Sequence, residues 1–217
     1  MKEVWYKADE GEWEDRLPLV TAALESGVDK VLVGLNDVDS VKELGEVDVA
    51  AFINDKEKTD IDPEVFVIGK DGEGDGTIDF PPDLSGSSDL ANLKSIDSGD
   101  VAGYIKLLDE RYERLAAKLG QYADYIIIIG EDWEVIPLEN LIAELQNEDV
   151  KIIAGVDSFE DAKTAFETLE IGADGVLLDT DDPSQIKKTI EIRDEMEAEE
   201  IDLELAEITK VEPTESG

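Results

Sequence analysis

Eight short runs of β-branched, aliphatic and aromatic residues recur along the chain, separated by stretches with helical amphipathicity. No other feature restricts the fold as much, because strand–helix–strand succession builds a parallel sheet with right-handed crossovers. The runs are Val4–Lys7, Lys30–Gly34, Val47–Ile53, Val65–Ile68, Leu93–Ile96, Tyr125–Ile129, Lys151–Val156 and Gly175–Leu178. Segments such as YIIIIG and GVLLD do not alternate apolar with polar residues, as expected of strands covered on both faces. Eight such units predict an α/β protein, a parallel (βα)8 TIM-barrel-like domain over residues 1–200. A barrel left incomplete around an acidic insertion is the variant of that reading.

Helices are predicted over Glu12–Ser26, Val101–Leu119, Leu138–Gln146, Phe159–Leu169 and Pro183–Glu197. Ser158 with Asp161 three residues on resembles a capping box, and Pro183 suits a first helical position behind Asp182 as N-cap. AALESGVDKVLVG at 22–34 echoes ETLEIGADGVLLD at 167–179, with AAKLGQYADYIIIIG at 116–130 as a looser copy. In each, a helix ends near Gly and Asp precedes a buried strand. Two regions break the rhythm. Residues 69–99, with KDGEGDGTIDFPPDLSGSSD at their start, read as an acidic surface insertion. Residues 201–217 read as a strand, Leu203–Thr209, and a linker leaving the barrel towards a further domain.

Charge decides which partners to exclude. Asp and Glu number 57 against 19 Lys and Arg, a net charge of −38, and no basic stripe is present to release counterions from nucleic acid or to meet an anionic membrane. Acids spread along the whole chain, between regular apolar segments, suit a halophilic cytosol, where molar salt shortens the Debye length to about 3 Å. With no Cys and no His, thiolate chemistry, catalytic triads and imidazole-ligated metals are ruled out. The opening MKEVWYKADEGEW lacks the apolar core of a signal peptide, and no run approaches the ~20 residues of a membrane helix, so a cytoplasmic protein acting on a small molecule is expected.

The sharpest segment is GEDWEVIPLENLIAEL at 130–145, which follows a buried strand and enters a helix opened by Pro137. In a barrel that junction lies on the catalytic face, which would place Glu131, Asp132 and Trp133 there. Glu139 and Asn140 fall in the first helical turn, where exposed N–H groups favour an anionic substrate. Equally, the two acids could solvate a loop over a packed Trp133.

These residues carry a resemblance. DWEVIPLENLIAEL, GADGVLLDTDDPSQIKK at 172–188, the Trp5–Tyr6–Lys7 run and ALESGVDKVLV at 23–33 resemble the archaeal type II 3-dehydroquinate synthase family over essentially the whole chain outside the acidic insertion. The resemblance implies an enzyme of an alternative aromatic amino-acid (shikimate) route. It would use NAD to deaminate a 2-amino-3,7-dideoxy-heptulosonate oxidatively and close the product to 3-dehydroquinate. NAD enters through the resemblance alone, since no G-x-G-x-x-G follows a strand.

Against that chemistry, Lys7 is the candidate for carbonyl polarisation or base work, because it closes the first strand among apolar neighbours where burial would lower its pKa. An exposed strand-end lysine is the plain alternative. Glu131 or Asp132 would be the general base, while Asp179 and Asp181 would orient substrate hydroxyls or ammonium. Asp71, Glu73, Asp75, Gly76 and Asp79 match positions 1, 3, 5, 6 and 9 of a calcium loop, but position 12 is Pro82, so a mobile acidic loop is preferred to a cation site. Two further expectations follow from the ending: self-association, and little activity without a second domain. A non-catalytic acidic scaffold and an aldolase-like barrel are the rival functions.

Overall fold

The computed structural model describes residues 2–53, 61–79, 81–130, 135–145, 148–167 and 172–204. Eight parallel strands close into a barrel in sequential order: β1 (Glu3–Lys7), β2 (Lys30–Gly34), β3 (Asp48–Phe52), β4 (Val65–Ile68), β5 (Asp100–Lys106), β6 (Tyr125–Ile129), β7 (Lys151–Val156) and β8 (Gly175–Leu178). Around them lie α1 (Trp13–Ser26), α2 (Val38–Lys42), α3 (Ser88–Leu93), α4 (Glu110–Gly120), α5 (Val135–Leu145), α6 (Phe159–Glu167) and α7 (Pro183–Glu204). The seam between β1 and β8 is fully paired from Glu3↔Gly175 to Tyr6↔Leu178, so the barrel is closed and not interrupted at the insertion.

Seven strand predictions fall on barrel strands; the fifth does not. Leu93 ends α3 and Ile96 lies beyond it, while the segment from Val101, read as the start of a helix, is β5. Val101, Ala102 and Ile105 are buried by the barrel wall rather than along a helical stripe. The helix begins only behind Asp109, whose carboxylate accepts from Arg111 N at 2.8 Å as an N-cap. The Ser158–Asp161 box is present, with Asp161 N donating to Ser158 Oγ at 3.1 Å. At the other end of the chain α7 runs to Glu204, so Leu203 is helical; the remainder of the expected strand lies outside the described residues.

The echo of Asp before buried strands has a physical cause. Asp29, just before β2, accepts from Val4 N on β1 at 2.7 Å and returns its own N–H to Val4 O at 2.8 Å. Glu64 before β4 does the same with Val49 of β3, Asp124 before β6 with Val101 of β5, and Asp174 before β8 with Ile152 of β7. Each even strand thus begins with an acid that satisfies the first free N–H of the odd strand beside it. α1 ends at Gly27 in the left-handed conformation (φ 88°), whose N–H reaches Ala23 O and Leu24 O, and this turn delivers Asp29 to its clamp.

Inside the barrel, Trp5, Leu32, Ala50, Val67, Ile127 and Leu177 form a fully buried apolar middle layer. Below it, at the amino ends of the strands, Glu3 accepts from Lys151 Nζ at 2.5 Å, Lys30 Nζ at 3.1 Å and Trp5 Nε1 at 2.8 Å. Burial works to raise the Glu3 carboxyl, but Lys151, Trp5 and Lys30 outweigh it and hold it below the usual value. A depressed folded-state pKa contributes stability that is complete above the ordinary carboxyl value and is lost as pH falls through the depressed one. Glu3→Gln is therefore expected to cost about 1–2 kcal/mol at neutral pH, discounted for partial solvent screening. Denaturation midpoints of variant and parent should converge as pH falls through the depressed Glu3 pKa; a gap unchanged from neutral to acid pH would contradict this role.

The region after β4 is not a loose surface loop. Gly69 (φ 122°) and Gly74 pass so close to β5 that a Cβ on either would lie 2.2 Å from Tyr104 O, and Lys106 N donates to Gly74 O at 2.8 Å. Glu73 is buried and caps α3, accepting from the Ser87 hydroxyl and from Ser88 N at 3.0 Å, while buried Asp89 accepts from Gly74 N at 2.8 Å. Asp75 accepts from Asp71 N and Thr77 N. Two of the calcium-loop carboxylates, Glu73 and Asp75, are thus turned into the segment's own backbone, and among the described residues no group of His, Cys, Asp or Glu is arranged to hold a metal ion.

Candidate active site

Strand parity decides what reaches the barrel mouth. Trp5 points into the lumen, so Lys7, two residues on, does too at the carboxyl end of β1, and Leu177 likewise sends Asp179 inward from β8. A cavity of about 200 Å³ opens there, lined by Lys7 and Asp179 together with Tyr104, Ile129, Gly130, Gly155, Asp157 and Asp161. Gly155 leaves the room: a Cβ there would meet Ile129 Cδ1 at 2.2 Å.

Lys7 is neither exposed nor neutral. Its side chain is 9% exposed, and Nζ donates to Asp179 Oδ2 at 2.6 Å, with Asp9 Oδ1 and Glu10 Oε1 each at 3.4 Å. Burial pulls its pKa down, as the sequence suggested, but the bond to Asp179 and the charges of Asp9, Asp179 and Glu10 overcome it and hold the ammonium above the ordinary lysine value. The expectation of a lowered pKa is corrected: Lys7 keeps its proton and is a charged hydrogen-bond donor. Burial likewise pushes the Tyr104 phenol up to about 12, with Lys7 opposing, so Tyr104 is a neutral donor at neutral pH. Asp157 is raised by burial and then by the nearby charges of Asp179 and Asp161, which makes it a better proton acceptor than an ordinary aspartate.

Of the other predicted site residues, Asp181 is exposed and outside the cavity lining. Burial, with the charges of Asp181 and Asp179, pushes the Tyr6 phenol up to about 12, and its hydroxyl donates to Thr180 O at 3.1 Å. Asp182 caps α7, accepting from Ser184 N at 2.9 Å. Glu131, Asp132 and Trp133 lie outside the described residues; they follow Gly130, which does line the cavity. Glu139 lies within α5, and Asn140, exposed, follows it, both beyond the first turn because the helix begins at Val135 rather than at Pro137.

Sequence reasoning missed Asp9, Lys70, Tyr104 and Asp157. Asp157 had a signal, since it closes β7 as Asp179 closes β8. Lys70 had none: it sits in the segment read as insertion, yet its ammonium reaches Asp9 and lies 5.0 Å above the Phe52 ring.

A closed barrel with a lysine–carboxylate pair and an open cavity at the carboxyl ends of its strands is the arrangement of a TIM-barrel enzyme domain. Solved structures show the same fold: a monomeric phosphoribosylanthranilate isomerase from Thermotoga maritima matches with TM-score 0.64 over 90% of this chain and all of that one, at 13% identity. Tryptophan synthase subunit alpha from Legionella pneumophila matches with TM-score 0.59 over 89% and 93%, at 12% identity. The family follows from sequence. The profile described as 3-dehydroquinate synthase II N-terminal domain matches residues 1–193, and the chain belongs to that family. It is 51% identical to the 3-dehydroquinate synthase of Haloarcula marismortui and 50% identical to that of Methanosarcina mazei, in each case over all of this chain but only 58% and 57% of the relative. The chain thus spans a little over half the length of these relatives.

Proposed function

We propose that this chain is the barrel part of a 3-dehydroquinate synthase that takes a 2-amino-3,7-dideoxy-heptulosonate, removes its amine oxidatively with NAD, and closes the resulting diketo acid to 3-dehydroquinate. Family membership supports the overall reaction, and one geometric observation supports its location: Lys7, held charged by Asp179 where the strand carboxyl termini meet a cavity.

Ring closure needs a carbonyl polarised while a proton leaves the carbon beside it. The Lys7 ammonium and the Tyr104 phenol donate to the carbonyl oxygen and stabilise negative charge as it develops. Asp157, whose carboxyl is raised, takes the proton, and Asp179 keeps Lys7 aimed. The same acidic wall suits a substrate that carries an amine.

The described mouth does not fit the dinucleotide. Asp157, Asp161 and Asp179 line it and would repel a pyrophosphate. No step is therefore routed through NAD here, and hydride removal draws on groups beyond these residues. The remaining length of the relatives is the natural source of those groups. A spectrophotometric assay of NAD reduction with the amino-heptulosonate, at molar KCl, tests this with the chain alone and with a relative's C-terminal part supplied in trans. Turnover is expected only in the second case. Full turnover by the chain alone refutes the need for further groups, and none in either arm refutes the reaction and favours a non-catalytic barrel.

A further inference from the structure

Asp9 lies beside the mouth, against Lys7 and behind the cavity lining. It lies in the connection between β1 and α1 with 1% of its side chain exposed. Oδ2 accepts from Lys70 Nζ, while Oδ1 has no hydrogen-bond partner and faces Lys7 Nζ at 3.4 Å. A carboxylate at that depth is tolerated only when paired, and the two ammonium groups are its pairing.

The backbone on both sides is fixed independently of the charges. Ala8 N donates to Leu32 O at 2.8 Å, and buried Arg16 donates to Ala8 O and, at 3.0 Å, to Asp37 Oδ2. Lys70 stands on the loop that Gly74 and Lys106 tie to β5, beside Asp71, whose positive φ of 54° marks a backbone held in an unfavourable conformation. Two separately braced segments thus present their lysines to one buried oxygen pair.

We infer that Asp9 is a positioning residue, whose buried carboxylate, anchored on its far side by the ammonium of Lys70, holds the ammonium of Lys7 in place at the barrel mouth so that substrate oxygens meet an oriented donor. This rests on the mouth being the site proposed above. The other charged or titratable groups facing Lys7 are Glu10 from the same connection, Asp179 after β8, Asp157 after β7 and the phenols of Tyr6 and Tyr104. Asp179 and Glu10 are 53% and 75% exposed and are screened by solvent and salt, whereas Asp9 is not.

Acylation with acetic anhydride, read lysine by lysine in peptide mass spectra, tests this without substrate or cofactor, because only the neutral amine reacts. In the parent, Lys7 is expected to label more slowly than the exposed Lys163 and Lys187. In Asp9→Asn it should label at least about tenfold faster at pH 9, equivalent to a fall of about one unit in its pKa. Lys30 and Lys151, at the opposite end of the barrel, should not change, and Asp9→Glu should restore slow labelling. Lys7 labelling at the parent rate in Asp9→Asn overturns the inference. If Lys30 and Lys151 accelerate as well, the variant has unfolded and Lys70→Met decides: with one ammonium left to Asp9, Lys7 should label more slowly than in the parent, and an equal or faster rate overturns the inference. The proposed reaction is judged separately by turnover of Lys7 variants, so failure of one leaves the other standing.

Discussion

Replacing Lys7 by methionine is expected to lower turnover of the amino-heptulosonate by about 10²–10⁴-fold in the form of the protein that is active, with a much smaller change in KM. Methionine keeps the length and apolar stem of lysine and removes only the donor that Asp179 aims into the cavity at 2.6 Å. Arginine keeps the charge but spreads it over a planar group, so Lys7→Arg should recover part of the loss at most. The pKa of Lys7 is raised, so its ammonium persists to strongly alkaline pH, and the alkaline fall in kcat/KM should not come from this residue. Methionine also leaves buried Asp9 with one cation, so turnover is to be read against the folded fraction from circular dichroism. Turnover within twofold of the parent, with the variant folded, would remove Lys7 from the reaction.

The second large effect is on stability. With a net charge of −38 spread over a domain of 217 residues, unscreened repulsion opposes the compact state at low ionic strength. The Debye length falls from about 10 Å at 0.1 M to about 3 Å at 1 M salt, which silences repulsion between surface carboxylates while leaving the buried pairs nearly untouched. Raising KCl from 0.1 M to 2 M is expected to raise Tm by about 10 °C or more, a few kcal/mol for a chain of this size. Sodium sulfate at matched ionic strength separates screening from the general salting-out of apolar surface, since sulfate adds the latter more strongly. A Tm that stays flat across the KCl series would show that the acids are already neutralised by the fold.

The barrel was legible because its strands are buried on both faces and spell themselves in Val, Ile and Leu, so seven of them stand out from their surroundings. β5 did not: DVAGYIK mixes small and polar residues, since Gly103 packs beneath Leu119 and Tyr104 looks into the cavity. The loop after β4 misled because its composition is that of a solvated segment, while Glu73, Ser87 and Asp89 satisfy one another out of water. At the site, position gave Lys7 and Asp179, since both close strands. The sign of the Lys7 shift was not legible, because it is set by Asp9 and by Asp179, the latter 172 positions away. Composition shows how many acids a chain has, and only the fold shows which of them share a lysine.

Every strand of the barrel but one finds its neighbour next along the chain; the exception is the seam, where β1 waits for β8. Lys7 and Asp179 lie on the two lips of that seam, as Val4 and Val176 do within it. During synthesis the first strand therefore stays unpaired on one edge until nearly the whole barrel has emerged, and closing so long a loop comes late because its entropy must be met before any contact rewards it. The ion pair at the mouth is accordingly among the last native contacts to form. A partly made barrel carries a lysine with no aspartate, and the chemistry proposed for it can begin only after the ring is shut.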